Sequence, residues 1–226
     1  WKEINKTLNE ALFERKYLHA CHMQMMEARP GAEGKLFKHV RGHATFMDAH
    51  TVKVERDGTV AQISAAHFVI ATGSRPRMLP GIAVDERRIL SSDGIFSMEK
   101  LPESIVIIGA GVVGCEFATI FSNFGQTRVH LIDRAVRILP FEDEDVAGLV
   151  ADNLQRKGVV IHHQASLERI AAEPDAVRYL LRYDHGGAEE VAVEKALLSV
   201  GRVPNVDRLG LDRAGVDRDA KGQVVL

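Results

Sequence analysis

Residues 109–114 read Gly-Ala-Gly-Val-Val-Gly, and their neighbours make this G-x-G-x-x-G pattern restrictive. The uncharged run Ser104–Ile108 leads straight into it, as a strand buried on both faces would. Behind it, Val112–Phe124 has the length and spacing of a helix. Gly109 permits the tight turn, Gly111 lets a pyrophosphate approach the backbone, and Gly114 lets the helix pack closely on the strand. Ala110, Val112 and Val113 complete the loop, whose helix N-terminus offers free N–H groups and a partial positive charge. Arg128–Ile132 is the next strand, and Asp133 ends it, 19 residues after Gly114. An acid there accepts hydrogen bonds from the adenine-ribose hydroxyls and repels a 2′-phosphate. The unit from Ser104 to Asp133 is therefore expected to bind NAD(H), with NAD favoured over NADP. A solvated strand-end aspartate is the plainer reading of Asp133, and Arg134 and Arg137 are close enough to attract a 2′-phosphate. Glu116, two residues further into the helix, reads equally as a contact near the nicotinamide or as a favourable first-turn charge.

The remaining pattern is α/β. Residues 3 to about 26 carry helical spacing at Ile4, Leu8 and Leu12, and Pro30, Gly31 and Gly34 end that helix. Val40–Phe46 is a candidate strand, and Thr51–Glu55 and Thr59–Ile63 form a hairpin through Asp57-Gly58. His67–Ala71 reads as a short apolar strand, and 75–103, with three prolines, as a linker. Asp143–Lys157 is a helix, Val159–His162 a strand, and Val177–Tyr183 and Glu189–Val193 a hairpin around Gly186-Gly187. Lys195–Val200 is the last clear strand. Alternating strands and helices predict a parallel sheet covered on both faces. His67–Pro76 and Ala196–Pro204 echo each other, each an apolar strand, then Gly, then Pro three residues later, after a small β-meander. The halves read as two nested Rossmann-like units, the first lacking its opening fingerprint. The expected boundaries are 1–100, 101–200 and a return over 201–226, and both ends read as cut from a longer chain.

A net charge of −2 gives no reason to expect nucleic acid or an anionic membrane as partner. No apolar run approaches the ~20 residues of a membrane span. Two distant cysteines, Cys21 and Cys115, argue against a disulfide framework and for a reducing, cytoplasmic setting. His19, Cys21 and His22 lie among methionines, but without known ligand spacing they read as a helix end, not a metal site. Glu142–Asp145 reads as an acidic helix start. His162 and His163, adjacent on a strand, point to opposite faces.

Three blocks together resemble the pyridine nucleotide–disulfide oxidoreductase flavoproteins: Val69–Pro76, Ile107–Glu116 and Ser199–Asn205. Gly42–Phe46 is similar to the family's segment at the FAD adenine. The resemblance covers nearly the whole chain. It implies an FAD domain, here incomplete, and an NAD(P) domain, each with a β-meander. It puts Gly109–Glu116, Asp133 and Gly201 at NAD, with Ser166 beside the adenine, and Ala44, Thr72, Gly73 and Ser74 at FAD. Val112 would lie near the nicotinamide. It implies an FAD-dependent, NAD-linked oxidoreductase passing hydride between NAD(H) and flavin, most like dihydrolipoamide dehydrogenase. The alternative within the family is a soluble transhydrogenase. A non-catalytic NAD(H)-binding module is the alternative of another class. The family's redox-cysteine motif and C-terminal dimerisation domain are missing, so no catalytic residue is expected within these 226 residues. FAD and a homodimer are expected of the full-length parent, and inactivity, weak or absent FAD retention and a monomer of this chain alone.

Overall fold

The computed structural model describes residues 2–31, 34–35, 37–220 and 222–225. They form two compact units, Lys2–Ser74 with Val203–Leu226, and Arg75–Arg202.

The first unit opens with helix α1 (Lys2–Ala28), none of whose residues is buried. Its apolar Phe13, Tyr17 and Leu18 are all more than half exposed. A three-stranded antiparallel meander follows: β1 (His43–Asp48), β2 (Thr51–Arg56) and β3 (Thr59–Ser64). Asp57 and Gly58 both have positive φ, as the two-residue turn between β2 and β3 requires. Phe46, Val52 and Val54 bury one face of the meander against Val206, Leu209 and Leu211. The strand expected over Val40–Phe46 thus starts three residues later and runs to Asp48. The expected strand His67–Ala71 is not formed, and Val69 is 92% exposed. A strand needs a neighbour to take its N–H and C=O groups, and no described strand runs beside these residues.

The second unit is a five-stranded parallel sheet with helices and a second meander. Its strands are β4 (Ile89–Ser91), β5 (Ser104–Ile108), β6 (Arg128–Ile132), β7 (Val160–His162) and β11 (Lys195–Leu198). Their order across the sheet is β7-β6-β5-β11-β4. Helix α2 (Val112–Phe124) connects β5 to β6, and α3 (Glu144–Arg156) connects β6 to β7. The meander β8 (Ala165–Ala172), β9 (Val177–Tyr183) and β10 (Ala188–Val193) precedes β11. Both faces of the sheet are apolar, so β5 alternates between two cores. Ile105 and Ile107 pack with Ala118 and Phe121 of α2, while Val106 and Ile108 pack with Val177, Tyr179 and Leu181 of the meander. All five residues of β5 are buried, as a run without polar alternation demands.

Helix α2 stops at Gly125, whose φ of 66° supplies the left-handed cap. Helix α3 starts where the Asp143 carboxylate accepts hydrogen bonds from the Asp145 and Val146 amides. Asp143→Ala is expected to cost about 1 kcal/mol, readable as a lower unfolding midpoint, because two first-turn amides lose their acceptor.

Two expectations change here. The stretch 75–103 is not a plain linker: Ile89–Ser91 within it is an edge strand of the parallel sheet, and the unit boundary falls at 74/75. Strand β8 is absent from the sequence-based reading, although it pairs along most of its length with β9.

Candidate functional site

The fingerprint occupies the strand-to-helix turn at the end of β5. Gly109 has φ +101°, and a Cβ on it would lie 2.6 Å from the Ser199 carbonyl oxygen. A Cβ on Gly114 would drive into the Gly109 carbonyl oxygen. These two glycines are required by packing. Gly111 differs: a Cβ there would meet no atom within 4 Å. It stands at the N-cap of α2, supplies no side-chain acceptor, and leaves the first-turn amides to an anion.

The open space beyond Gly111 belongs to a cavity of about 860 Å³, lined only by residues of the second unit. Its floor is Gly109, Gly111, Val112 and Val113. Asp133 and Arg134 line it from the end of β6, Ser166 from β8, and Gly201 from the segment after β11. These come from four places in the chain because the C-terminal ends of parallel strands open onto one edge of a sheet. An 860 Å³ cleft is ample for part or all of a dinucleotide. The glycine cradle, the uncapped helix start and the polar rim fit a pyridine nucleotide.

Asp133 is fixed by backbone contacts. Its Oδ2 accepts from the Ala110 amide at 2.7 Å and its Oδ1 from the Ala135 amide at 2.8 Å. Each carboxylate oxygen has a second lone-pair direction for a ribose hydroxyl. The aspartate therefore holds the fingerprint loop as well as facing the cavity. The Ala110 carbonyl in turn accepts the Leu139 amide at 2.8 Å, which docks the 134–142 loop onto the fingerprint. The Arg137 guanidinium donates to the carbonyls of Leu139, Pro140 and Glu142 at 3.0–3.2 Å. Arg137 thus braces that loop and does not line the cavity; Arg134 does, as does Arg169, which is paired with Glu190.

Other expected residues fall elsewhere. Ala110 is buried behind the loop, and Gly114 sits at the helix–strand contact. Glu116 is exposed on α2 and does not line the cavity. Cys115 is buried under the fingerprint, and burial first, then the Asp133 charge, pushes its thiol up to about 11. Such a thiol stays protonated and unreactive at neutral pH. Cys21 is free as well. Among the described residues no group of three or more His, Cys, Asp or Glu side chains is placed to hold a metal, and no helix is long and apolar enough to cross a membrane.

In the first unit, Ala44 is exposed and pairs with Val54 across the meander. Thr72, Gly73 and Ser74 are exposed. The Asn205 backbone amide donates to the Gly73 carbonyl, and its side-chain amide to that of Thr72. The turn is thus tied to the segment in which the chain returns to this unit.

Besides Leu167–Ile170 of β8, sequence reasoning missed two walls of the cavity. Leu79–Ile82 forms one, within the stretch read as a linker, and Pro140-Phe141 forms another. Three prolines hid the first. A single phenylalanine after a proline carries no periodic signal, so nothing marked the second.

The family model for pyridine nucleotide-disulphide oxidoreductases matches residues 6–226. This chain belongs to that family. Its members use FAD and NAD(P). A soluble pyridine nucleotide transhydrogenase of Colwellia psychrerythraea is 37% identical over 188 residues, covering 83% of this chain and 39% of the relative. One from Vibrio vulnificus is 38% identical over 184 residues, 81% of this chain and 38% of the relative. Among solved structures, the HOCl-induced flavoprotein disulfide reductase RclA from Escherichia coli, as its Cu(II) complex, matches with a TM-score of 0.71 at 30% identity. That match covers 82% of this chain and 41% of RclA. LpdA from Mycobacterium tuberculosis matches with a TM-score of 0.69 at 28% identity, over 80% of this chain and 40% of LpdA. The chain spans about two-fifths of the length of the relatives it matches.

Proposed function

We propose that residues 75–202 are the pyridine-nucleotide-binding unit of a flavin-dependent oxidoreductase of the soluble transhydrogenase type. The observation that carries the reading is Gly111, an uncapped helix start opening onto an 860 Å³ cavity shared with Asp133, Ser166 and Gly201. The Gly111 backbone and the first-turn amides of α2 would hold the pyrophosphate, and the remaining lone pairs of Asp133 would accept from the ribose hydroxyls. The two cofactors would supply hydride transfer between nicotinamide and flavin.

The balance between the two family members shifts from the sequence-based preference. Relatives 37–38% identical to this chain carry the transhydrogenase name, so that reading replaces dihydrolipoamide dehydrogenase as the leading one. Arg134 on the cavity wall supports it, because an enzyme that works with both nucleotides must tolerate a 2′-phosphate beside Asp133. We assign Ala44 and Thr72–Ser74 to FAD by family resemblance, and a homodimer to the full-length protein.

Two experiments test this. Titrating the chain with NADH and NADPH, followed by nicotinamide fluorescence, is expected to give saturable binding of both. Binding of neither would remove the reading. A full-length protein containing this chain is expected to be yellow and to reduce an NAD⁺ analogue with NADPH. Lipoamide reduction without that activity would restore the dihydrolipoamide dehydrogenase assignment.

A further inference from the structure

Phe141 lines the cavity beside Pro140, yet the residue is 98% exposed. An unburied aromatic ring forfeits its hydrophobic stabilisation, so folding of the unit does not explain it. The backbone that carries it is not loose. Arg137 ties three carbonyls of the loop together, and Leu139 binds the fingerprint through the Ala110 carbonyl. Leu139 itself is held at φ 48°, a left-handed conformation uncommon outside glycine. The loop thus presents a bare ring from a braced platform at the mouth of a nucleotide-sized cleft.

We propose that Phe141 is a nucleotide-binding residue, whose ring packs on the bound pyridine nucleotide and covers it from solvent. This rests on the reading of the cavity as a pyridine-nucleotide site. The ligand is defined by its chemistry: a planar heteroaromatic base carried on a phosphate that the fingerprint holds. The ring gains its burial only when the site is filled, so its contribution goes to binding and not to the fold. Leu79–Ile82 forms another wall, and Leu79 and Ile82 are fixed by packing on the core beneath.

The test uses the intact chain. Phe141→Ala is expected to raise the Kd for NADH at least about tenfold, within the range for losing one base–aromatic stack. Phe141→Tyr restores binding and Phe141→Leu does so only in part. The unfolding midpoint of all three stays at the wild-type value, since the side chain contacts solvent in the empty protein. A second readout is direct. Phe141→Trp combined with Trp1→Phe leaves one tryptophan, whose emission is expected to be quenched on titration with NAD⁺. Wild-type NADH affinity in Phe141→Ala, or unchanged tryptophan emission at saturating NAD⁺, overturns the role of Phe141 and leaves the nucleotide site standing. No NADH binding by the wild-type chain overturns the site itself.

Discussion

Two alanine substitutions three residues apart are expected to fail in opposite ways. Gly111→Ala should leave the unfolding midpoint of the second unit where it is, because its Cβ enters open space. It should weaken NADH binding at least about thirtyfold, the equivalent of one lost charge-assisted hydrogen bond of roughly 2 kcal/mol. Gly114→Ala should do the reverse. Its Cβ meets the Gly109 carbonyl oxygen, which is backbone and cannot swing away. The expected cost is about 3 kcal/mol, the upper end for overpacking, because the turn and the helix must separate. Circular dichroism and nicotinamide fluorescence on both variants check the pair. Equal loss of binding at equal stability would show that the fingerprint does not divide its labour this way.

The second large effect lies beneath the meander. His130 Nδ1 and His162 Nε2 are 3.0 Å apart, and His162 Nδ1 lies 2.6 Å from the Tyr183 hydroxyl. That hydroxyl donates to Glu189 at 2.7 Å, so it accepts from His162 Nδ1–H. His162 Nε2 must then accept from His130 Nδ1–H. The contact needs one proton between the two rings, so it excludes the doubly protonated pair, in which His130 Nδ1–H and His162 Nε2–H would face each other. Burial is the largest influence lowering both histidines below 6.5. For His130 the His162 charge and Arg128 act in the same direction, and Glu189 opposes them. For His162, Glu189 opposes the shift and His163 adds to it. Tyr179 and His185 complete the surroundings, one at the edge of the His130 ring and one stacked on Tyr183.

Because the folded pKa values lie below the unfolded ones, the unfolded chain takes up protons first as pH falls. The stability from this network is full above about pH 6.5 and declines below it, by up to about 2.7 kcal/mol per pH unit for two groups. His162→Phe is expected to flatten that slope. It also costs about 1–3 kcal/mol at neutral pH, because His130 and Tyr183 lose a partner. Unfolding midpoints at intervals between pH 5 and 8 would decide. An unchanged slope in the variant would place the titration elsewhere.

The regular β-α-β core was readable because its signals agree. The run Ser104–Ile108, the glycines and the helix Val112–Phe124 are found at those residues. Two strands of the same unit were not readable, for different reasons. Ala165–Ala172, reading Ala-Ser-Leu-Glu-Arg-Ile-Ala-Ala, is rich in helix formers, and its strand state is imposed by pairing with β9. Ile89–Ser91 has three residues, too few for any period, and exists because β11 offers it a partner. His67–Ala71 is the converse: a strand-like composition with no strand beside it. At the site, Asp133, Ser166 and Gly201 reach the cavity from strand ends or the segments after them, while Glu116 does not. Its helical position could be foreseen, but its distance from the cavity depends on how α2 sits on the sheet.

The order of the strands also governs how the chain can be made. β11, at Lys195–Leu198, lies between β5 and β4 and bonds to both, yet it is the last strand of its sheet in sequence. During synthesis the ribosome releases β5 and β4 about a hundred residues before the strand that joins them. Until then their facing edges are bare, and the edge of β5 belongs to an almost wholly apolar segment. A product truncated just before Lys195 would keep the fingerprint, Asp133 and Ser166, but would carry two sticky edges in place of a closed sheet. Parallel pairing at such sequence separation is slow, and the delay is a window for aggregation. Truncations of this unit therefore divide at Leu198: those that include it can complete the sheet, and those that stop short expose it.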